Sequence, residues 1–176
     1  MLDKDLYIPY ILSKNGTKWD KLGNFLIGSY TARIDKSGRI KIPEKFRAVI
    51  EERYGKDLFV TSLTDEAVQI YPYSVWTKLA GLTDKGLILL KPDVRNFMLQ
   101  VNLKGQQHEI DTKGRVLISQ ALRDKAFLEN EIEVVGMNNH LEVWNKERLE
   151  TTIAERPLTN EDFERISEIS VKGKSE

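Results

Sequence analysis

The 176-residue sequence contains no cysteine and only two histidines, His108 and His140. Without thiols there are no disulfides, thiolate nucleophiles, iron–sulfur clusters or cysteine zinc sites, a usage that fits a reducing cytosol. Two histidines leave little for a metal centre or for histidine acid–base chemistry. His108 aligns with a strand position and reads as a packing or surface residue, and His140 falls in a hairpin turn and reads as solvated. Long apolar runs are missing as well, since nothing approaches the roughly 18 to 20 residues that span a bilayer. The opening MLDKDLYIPYIL carries acids where a signal peptide needs bases, and Pro9 interrupts it. There is no G-x-S-x-G, no G-x-x-x-x-G-K-[ST], no G-x-G-x-x-G and no His–acid metal spacing. These absences predict a cytoplasmic protein with no enzymatic activity, cofactor, metal, membrane partner or small-molecule substrate. Net charge is the last absence. With 27 basic and 27 acidic residues the formal charge is zero, which excludes a general polycation but not a local basic patch.

What the chain does have is a duplication. IDKSGRIKIPEKFR at 34–47 and IDTKGRVLISQALR at 110–123 share six identities in 14 positions, where about one is expected from ordinary residue usage. The identical pairs are Ile34/Ile110, Asp35/Asp111, Gly38/Gly114, Arg39/Arg115, Ile42/Ile118 and Arg47/Arg123, all at an offset of 76. That offset is too long for a solenoid repeat and suits a duplicated small module. Downstream, LFVTSLTDEAVQIYPYSVW and IEVVGMNNHLEVWNKERL each place two β-rich runs around a polar turn.

Tyr30, Ala32 and Ile34 alternate with Thr31, Arg33 and Asp35, the period of a half-buried strand. A Gly38 turn follows, and alternation resumes at Arg39 to Ile42. Pro43 suits a helix start, Phe46, Val49, Ile50 and Tyr54 share one helical face, and Gly55 ends it. Strands over about 58–62 and 67–71 complete a β-β-α-β-β module. In the second copy Ser119 replaces Pro43 as an N-cap. Residues 72–79 and 93–101 read as helices, the latter with Val94, Phe97, Met98 and Val101 in a stripe that suits core or a subunit contact. Thr159 and Asp162 read as a capping box ahead of a short helix through Ile169.

A D-x-x-G-R turn occurring once is an ordinary turn; occurring at the same place in both copies, it puts an arginine after each turn with no folding reason for either. From Gly28 to Arg47 six bases face two acids, a local charge of +4, whereas residues 105–125 carry +1. Clustered cations with an arginine at the tip suit phosphate and guanine. The candidate DNA contacts are therefore Arg39, Arg115, Lys36, Lys113, Arg33 and Lys41, although Lys41 taken alone reads better as part of a solvated strand face. Asp35, Gly38, Asp111 and Gly114 position the turns rather than touch DNA.

GSYTARIDKSGRIKIPEKFR and GQQHEIDTKGRVLISQALR, with LFVTS, Tyr71-Pro72, VVG at 134–136 and LEVW at 141–144, resemble the signature segments of the MraZ family of bacterial transcriptional regulators over about residues 25–150. The resemblance implies a β-rich α+β chain whose two tandem modules form a pseudo-twofold AbrB-like swapped-hairpin (double-split) β-barrel with connecting helices. It also implies a homo-oligomeric ring in the nucleoid, binding short direct repeats of double-stranded DNA in the promoter of the division and cell-wall gene cluster, usually to repress it. The motif arginines by position are Arg39 and Arg115. The sequence departs from the family pattern at Ser37, where a lysine is usual before the glycine, at Ser119, where proline is usual, and in its first 24 residues.

The organisation expected is an N-terminal extension (1–24), a first module (25–79), a helical connection (80–104), a second module (105–150) and an acidic tail (151–176). The tail supports a different reading, an AbrB-like interaction module or antitoxin whose acidic segment binds a protein.

Overall fold

The alternating and helical patterns are realised in order, twice. The computed structural model describes residues 25–81 and 91–172, with side chains through 169. The expected extension at 1–24 and residues 82–90 of the expected connection lie outside the described residues. The first copy comprises β1 (Leu26–Arg33), β2 (Arg39–Lys41), α1 (Glu44–Tyr54), β3 (Asp57–Thr61), β4 (Ala67–Pro72) and α2 (Tyr73–Gly81). After α3 (Pro92–Lys104), the second comprises β5 (Gln106–Glu109), β6 (Arg115–Leu117), α4 (Gln120–Lys125), β7 (Glu131–Asn138), β8 (Leu141–Asn145) and α5 (Lys146–Glu155). The acidic α6 (Asn160–Lys172) closes the described chain.

The copies do not fold side by side. The main sheet is antiparallel and six-stranded, in the order β1-β7-β8-β4-β3-β5. β1 pairs with β7 of the other copy, Ala32 opposite Ile132, and β5 pairs with β3, Leu58 opposite His108. The order reads the same from either edge when the copies are exchanged, which is a pseudo-twofold relation. β2 and β6 leave this sheet and pair with each other, Ile40 opposite Val116. The described strands form no closed barrel, because β1 and β5 remain sheet edges and the chain turns away after each to build the separate β2–β6 ribbon.

A three-residue ladder is too short to persist alone, so burial must hold the ribbon. Ile40, Ile42, Val116 and Ile118 are all at most 1% exposed and join one core with Phe46 and Ile50 of α1, Leu122 of α4, and the inward residues of β3, β4, β7 and β8. At about 1.5–3 kcal/mol per fully buried aliphatic side chain, those four residues outweigh what three ladder positions supply. The opposite sheet face is covered at β3 and β4 by Phe59, Tyr71, Val75, Trp76 and Val101, with Phe59 stacked on Trp76 at 4.4 Å.

Local signals are met by specific bonds. The Ser119 hydroxyl accepts from the Leu122 N–H at the start of α4. Asp162 Oδ2 accepts from the Thr159 N–H at 2.9 Å in the capping box of α6, a helix that runs three residues past Ile169. Of the stripe on α3 only Val101 is buried; Phe97 is exposed, as are Leu99 and Leu103 beside it. His140 corrects an expectation. It lies in the turn before β8, but its ring stacks on Tyr71 at 4.5 Å, and burial lowers its pKa. The aromatic partner is 69 residues away in sequence, so the turn position alone suggests solvent.

Candidate nucleic-acid interface

Each D-x-x-G-R segment is a turn closed by its own aspartate. Asp35 Oδ1 accepts from the Ser37 N–H at 2.9 Å, the Ser37 hydroxyl at 2.7 Å and the Arg39 N–H at 2.9 Å. Asp111 Oδ1 accepts from the N–H groups of Lys113 at 2.8 Å and Arg115 at 2.9 Å. The main chain adds Gly38 N–H to Asp35 O and Gly114 N–H to Asp111 O, each 2.9 Å. Backbone conformation favours glycine at both positions, where an arginine of the other copy also packs close. Gly38 and Gly114 have φ of 79° and 74°, a region that costs other L-residues roughly 1–2 kcal/mol. A Cβ on Gly38 would also meet the Arg123 guanidinium at 2.8 Å, and one on Gly114 would overlap Arg47.

Those contacts cross between copies, as do two main-chain bonds. The Ile42 N–H donates to Gly114 O at 3.0 Å and the Ile118 N–H to Gly38 O at 2.9 Å. Each turn is therefore tied at its glycine to the strand end of the other copy, with that copy's arginine packed over it. Arg47 and Arg123 were not among the candidate contacts. Their signal was present in the sequence, since they are an identical pair beyond the turn, but only the exchange of strands brings each to the opposite turn.

Directly opposed residues of an antiparallel pair share a face. With Ile40 and Val116 inward, Arg39, Lys41, Arg115 and Leu117 form the outer face of the ribbon. Arg39 stands opposite Leu117 and Lys41 opposite Arg115. Lys36 and Lys113 are exposed within the turns. Arg33 and Lys41 line a groove of about 520 Å³ between β1 and the start of α1, with Lys45 beside them. The structure thus gathers Arg39, Lys41 and Arg115 on one surface and places Arg33 along its flank. A two-stranded ribbon of this kind is narrow enough to enter the major groove of B-DNA. Among the described residues no cluster of three or more His, Cys, Asp or Glu is arranged to hold a metal, and no helix is long and apolar enough to cross a membrane.

Both turn carboxylates titrate low. The Ser37 hydroxyl and the Arg39 N–H hold Asp35 below the ordinary aspartate value, assisted by the charge of Arg115. For Asp111, desolvation pushes upward but is outweighed by the N–H and guanidinium of Arg115 and the N–H of Lys113. A folded-state pKa below the unfolded one stabilises the fold above the unfolded value, about 3.9, and that contribution disappears as pH falls through the folded value. The denaturation midpoint of the wild type is expected to lose the turn contribution below about pH 4. The Asp35→Asn/Asp111→Asn double variant should lack that part of the slope; identical acid profiles in urea titrations would show that the turns do not carry it.

The chain is similar to known proteins over most of its length. A family profile described as "MraZ protein, putative antitoxin-like" matches residues 103–169, including the second turn. Proteins named "Transcriptional regulator MraZ" are similar over about four fifths of this chain. That of Acidobacterium capsulatum is 34% identical over 144 residues, covering 82% of this chain and 98% of the relative. That of Limosilactobacillus reuteri is 36% identical over 143 residues, covering 81% and 95%. That of Caldicellulosiruptor saccharolyticus is 30% identical over 147 residues, covering 83% and 99%.

Proposed function

This chain belongs to the MraZ family, and on that premise we propose that it is a transcriptional regulator that binds double-stranded DNA through the outer face of the β2–β6 ribbon. The observation that carries the reading is the pair of arginine-bearing turns stapled glycine to strand across the pseudo-twofold. A contact surface fixed before binding loses little conformational entropy on docking. Arg39 faces base edges, Lys41, Lys36 and Lys113 face phosphates, and Arg33 follows the backbone along the flanking groove. Arg115 stands in the same surface. Asp35, Gly38, Asp111 and Gly114 hold the turns. The exchanged pairing of β1 with β7 and β5 with β3 supports an AbrB-like swapped-hairpin arrangement of two modules, 25–79 and 105–150.

Because the chain has no net charge, affinity arises from repetition. A ring of protomers on short direct repeats engages several ribbons at once, and the linked contacts multiply. The target is the promoter of the division and cell-wall genes, the outcome repression, and the location the cytoplasmic nucleoid. The test is a salt series of binding to the duplex just upstream of the protein's own gene, with random DNA as competitor. Selective binding with a log-linear salt dependence is expected. Absence of selective binding even at low salt overturns the proposal.

One observation favours a second role for the tail. On the acidic α6, Phe163, Ile166 and Ile169 are exposed at 55%, 54% and 71%, a spacing that forms one helical stripe. None of the proposed DNA contacts lies in this helix. Truncation after Arg156 is expected to leave DNA affinity within about twofold, a change of at most ~0.4 kcal/mol. A larger loss in a filter-binding assay would place α6 in the DNA complex or its assembly.

A further inference from the structure

The two turns have the same fold but hold their arginines differently. Arg115 donates from Nε to Asp111 Oδ2 at 2.9 Å, its Nη2 lies 2.9 Å from the same oxygen, and its Nη1 reaches Asp35 Oδ2 of the other copy at 3.3 Å. Arg39 makes no ion pair among the described residues and donates from Nη1 to the neutral Ser37 hydroxyl at 2.9 Å. The turns differ at two positions, Lys36-Ser37 against Thr112-Lys113, and the contrast follows from the second of them. Ser37 occupies the place of Lys113, and its hydroxyl both donates to Asp35 Oδ1 and receives Arg39. Asp35 Oδ2 is thereby left facing across the pseudo-twofold, where Arg115 takes it. Lys113 offers no hydroxyl, so Arg115 folds back onto its own Asp111.

We propose that Arg115 is a positioning residue that ties the two turns together, and that Arg39 alone reads base identity, so the two copies are unequal partners in one site. This rests on the DNA-binding reading of the ribbon. A guanidinium has five N–H donors in a fixed fork. Arg115 engages all three of its nitrogens with carboxylates and must surrender them to contact guanine. Arg39 gives up only a bond to a neutral hydroxyl. The carboxylates of Asp35 and Asp111 that flank Arg115 also oppose the approach of phosphates to it.

The test uses full-length protein and duplexes enriched by the wild type from a random-sequence library. Arg39→Ala is expected to relax preference at a defined guanine position, with roughly 5- to 150-fold weaker binding to the best site. Arg115→Ala is expected to weaken matched and mismatched duplexes by the same factor and to leave the preference profile unchanged at every position. A separate arm needs no DNA. Carboxylate titration by NMR should show Asp35 moving upward in Arg115→Ala and staying in place in Arg39→Ala, although Arg39 is on the same turn. Arg115→Lys, which keeps the charge, should cancel part of that upward movement and covers the case in which alanine prevents folding. Loss of preference at a base position in Arg115→Ala, or an unmoved Asp35, overturns the proposal. If the wild type enriches no sequence, the DNA reading fails, and the titration still decides whether Arg115 links the turns.

Discussion

Arg39→Ala is expected to cost about 1–3 kcal/mol of specific binding, and Lys41→Ala, two residues along the same strand, less. Both side chains lie on the outer face of the ribbon, so the comparison holds position nearly constant and varies chemistry. An arginine fork satisfies two acceptors of guanine at once, and the wrong base leaves a desolvated donor unpaired. A lysine is a point charge with no such geometry. The two losses should therefore differ in kind. Arg39→Ala should flatten the difference between matched and mismatched duplexes, whereas Lys41→Ala should weaken all duplexes evenly and reduce the salt slope by about 1. Competition binding at several salt concentrations separates these outcomes. Equal, salt-dependent losses from both variants would make Arg39 a phosphate contact.

Phe46→Ala is expected to destabilise the fold by about 3–5 kcal/mol, a large share of the ~5–15 kcal/mol that usually separates folded from unfolded domains. Phe46 is 2% exposed on the inner face of α1 and meets Tyr30 edge-on at 5.1 Å and 87°. Truncation opens a cavity between α1 and β1 that neither can fill without leaving its own contacts. The next residue, Arg47, lies over Gly114, so loosening α1 also loosens the second turn. The expected result is a lower urea midpoint together with weaker DNA binding at temperatures where the wild type is folded. Phe163→Ala on α6 is the matched control, since that ring is 55% exposed and surface substitutions are generally within about 0.5 kcal/mol. Similar losses from the two variants would contradict the core assignment.

Much of the fold was legible because its signals are local. Tyr30, Ala32 and Ile34 alternate over adjacent residues, Gly38 and Gly114 answer to one backbone angle each, and the bond from the Leu122 N–H to Ser119 spans three positions. Strand partnership has no such signature. β1 is similarly suited by pattern to β3 or β7, and the choice of β7 is settled only when both copies bury Ile40, Ile42, Val116 and Ile118 in one core. The stacked position of His140 on Tyr71 was hidden for the same reason. At the candidate site, duplication makes the residues of the two turns legible, whereas the placement of Arg47 and Arg123 is not, because each packs on the other copy's turn.

The sequence alone specifies the make-up of the candidate site: two Asp, two Gly and two Arg in matched turns, with Lys36-Ser37 against Thr112-Lys113 breaking the match. It also determined the order of strands and helices, since hydrophobic period and turn chemistry act within a few residues. The tertiary structure alone decided that the turns meet across a pseudo-twofold and that β2 and β6 form one ribbon. It alone decided, too, that Arg115 bridges Asp35 and Asp111 while Arg39 does not. The reason is distance. An ion pair between residues 80 positions apart exists only after the shared core has brought both copies together, and no pattern along the chain records which carboxylate a guanidinium will then reach.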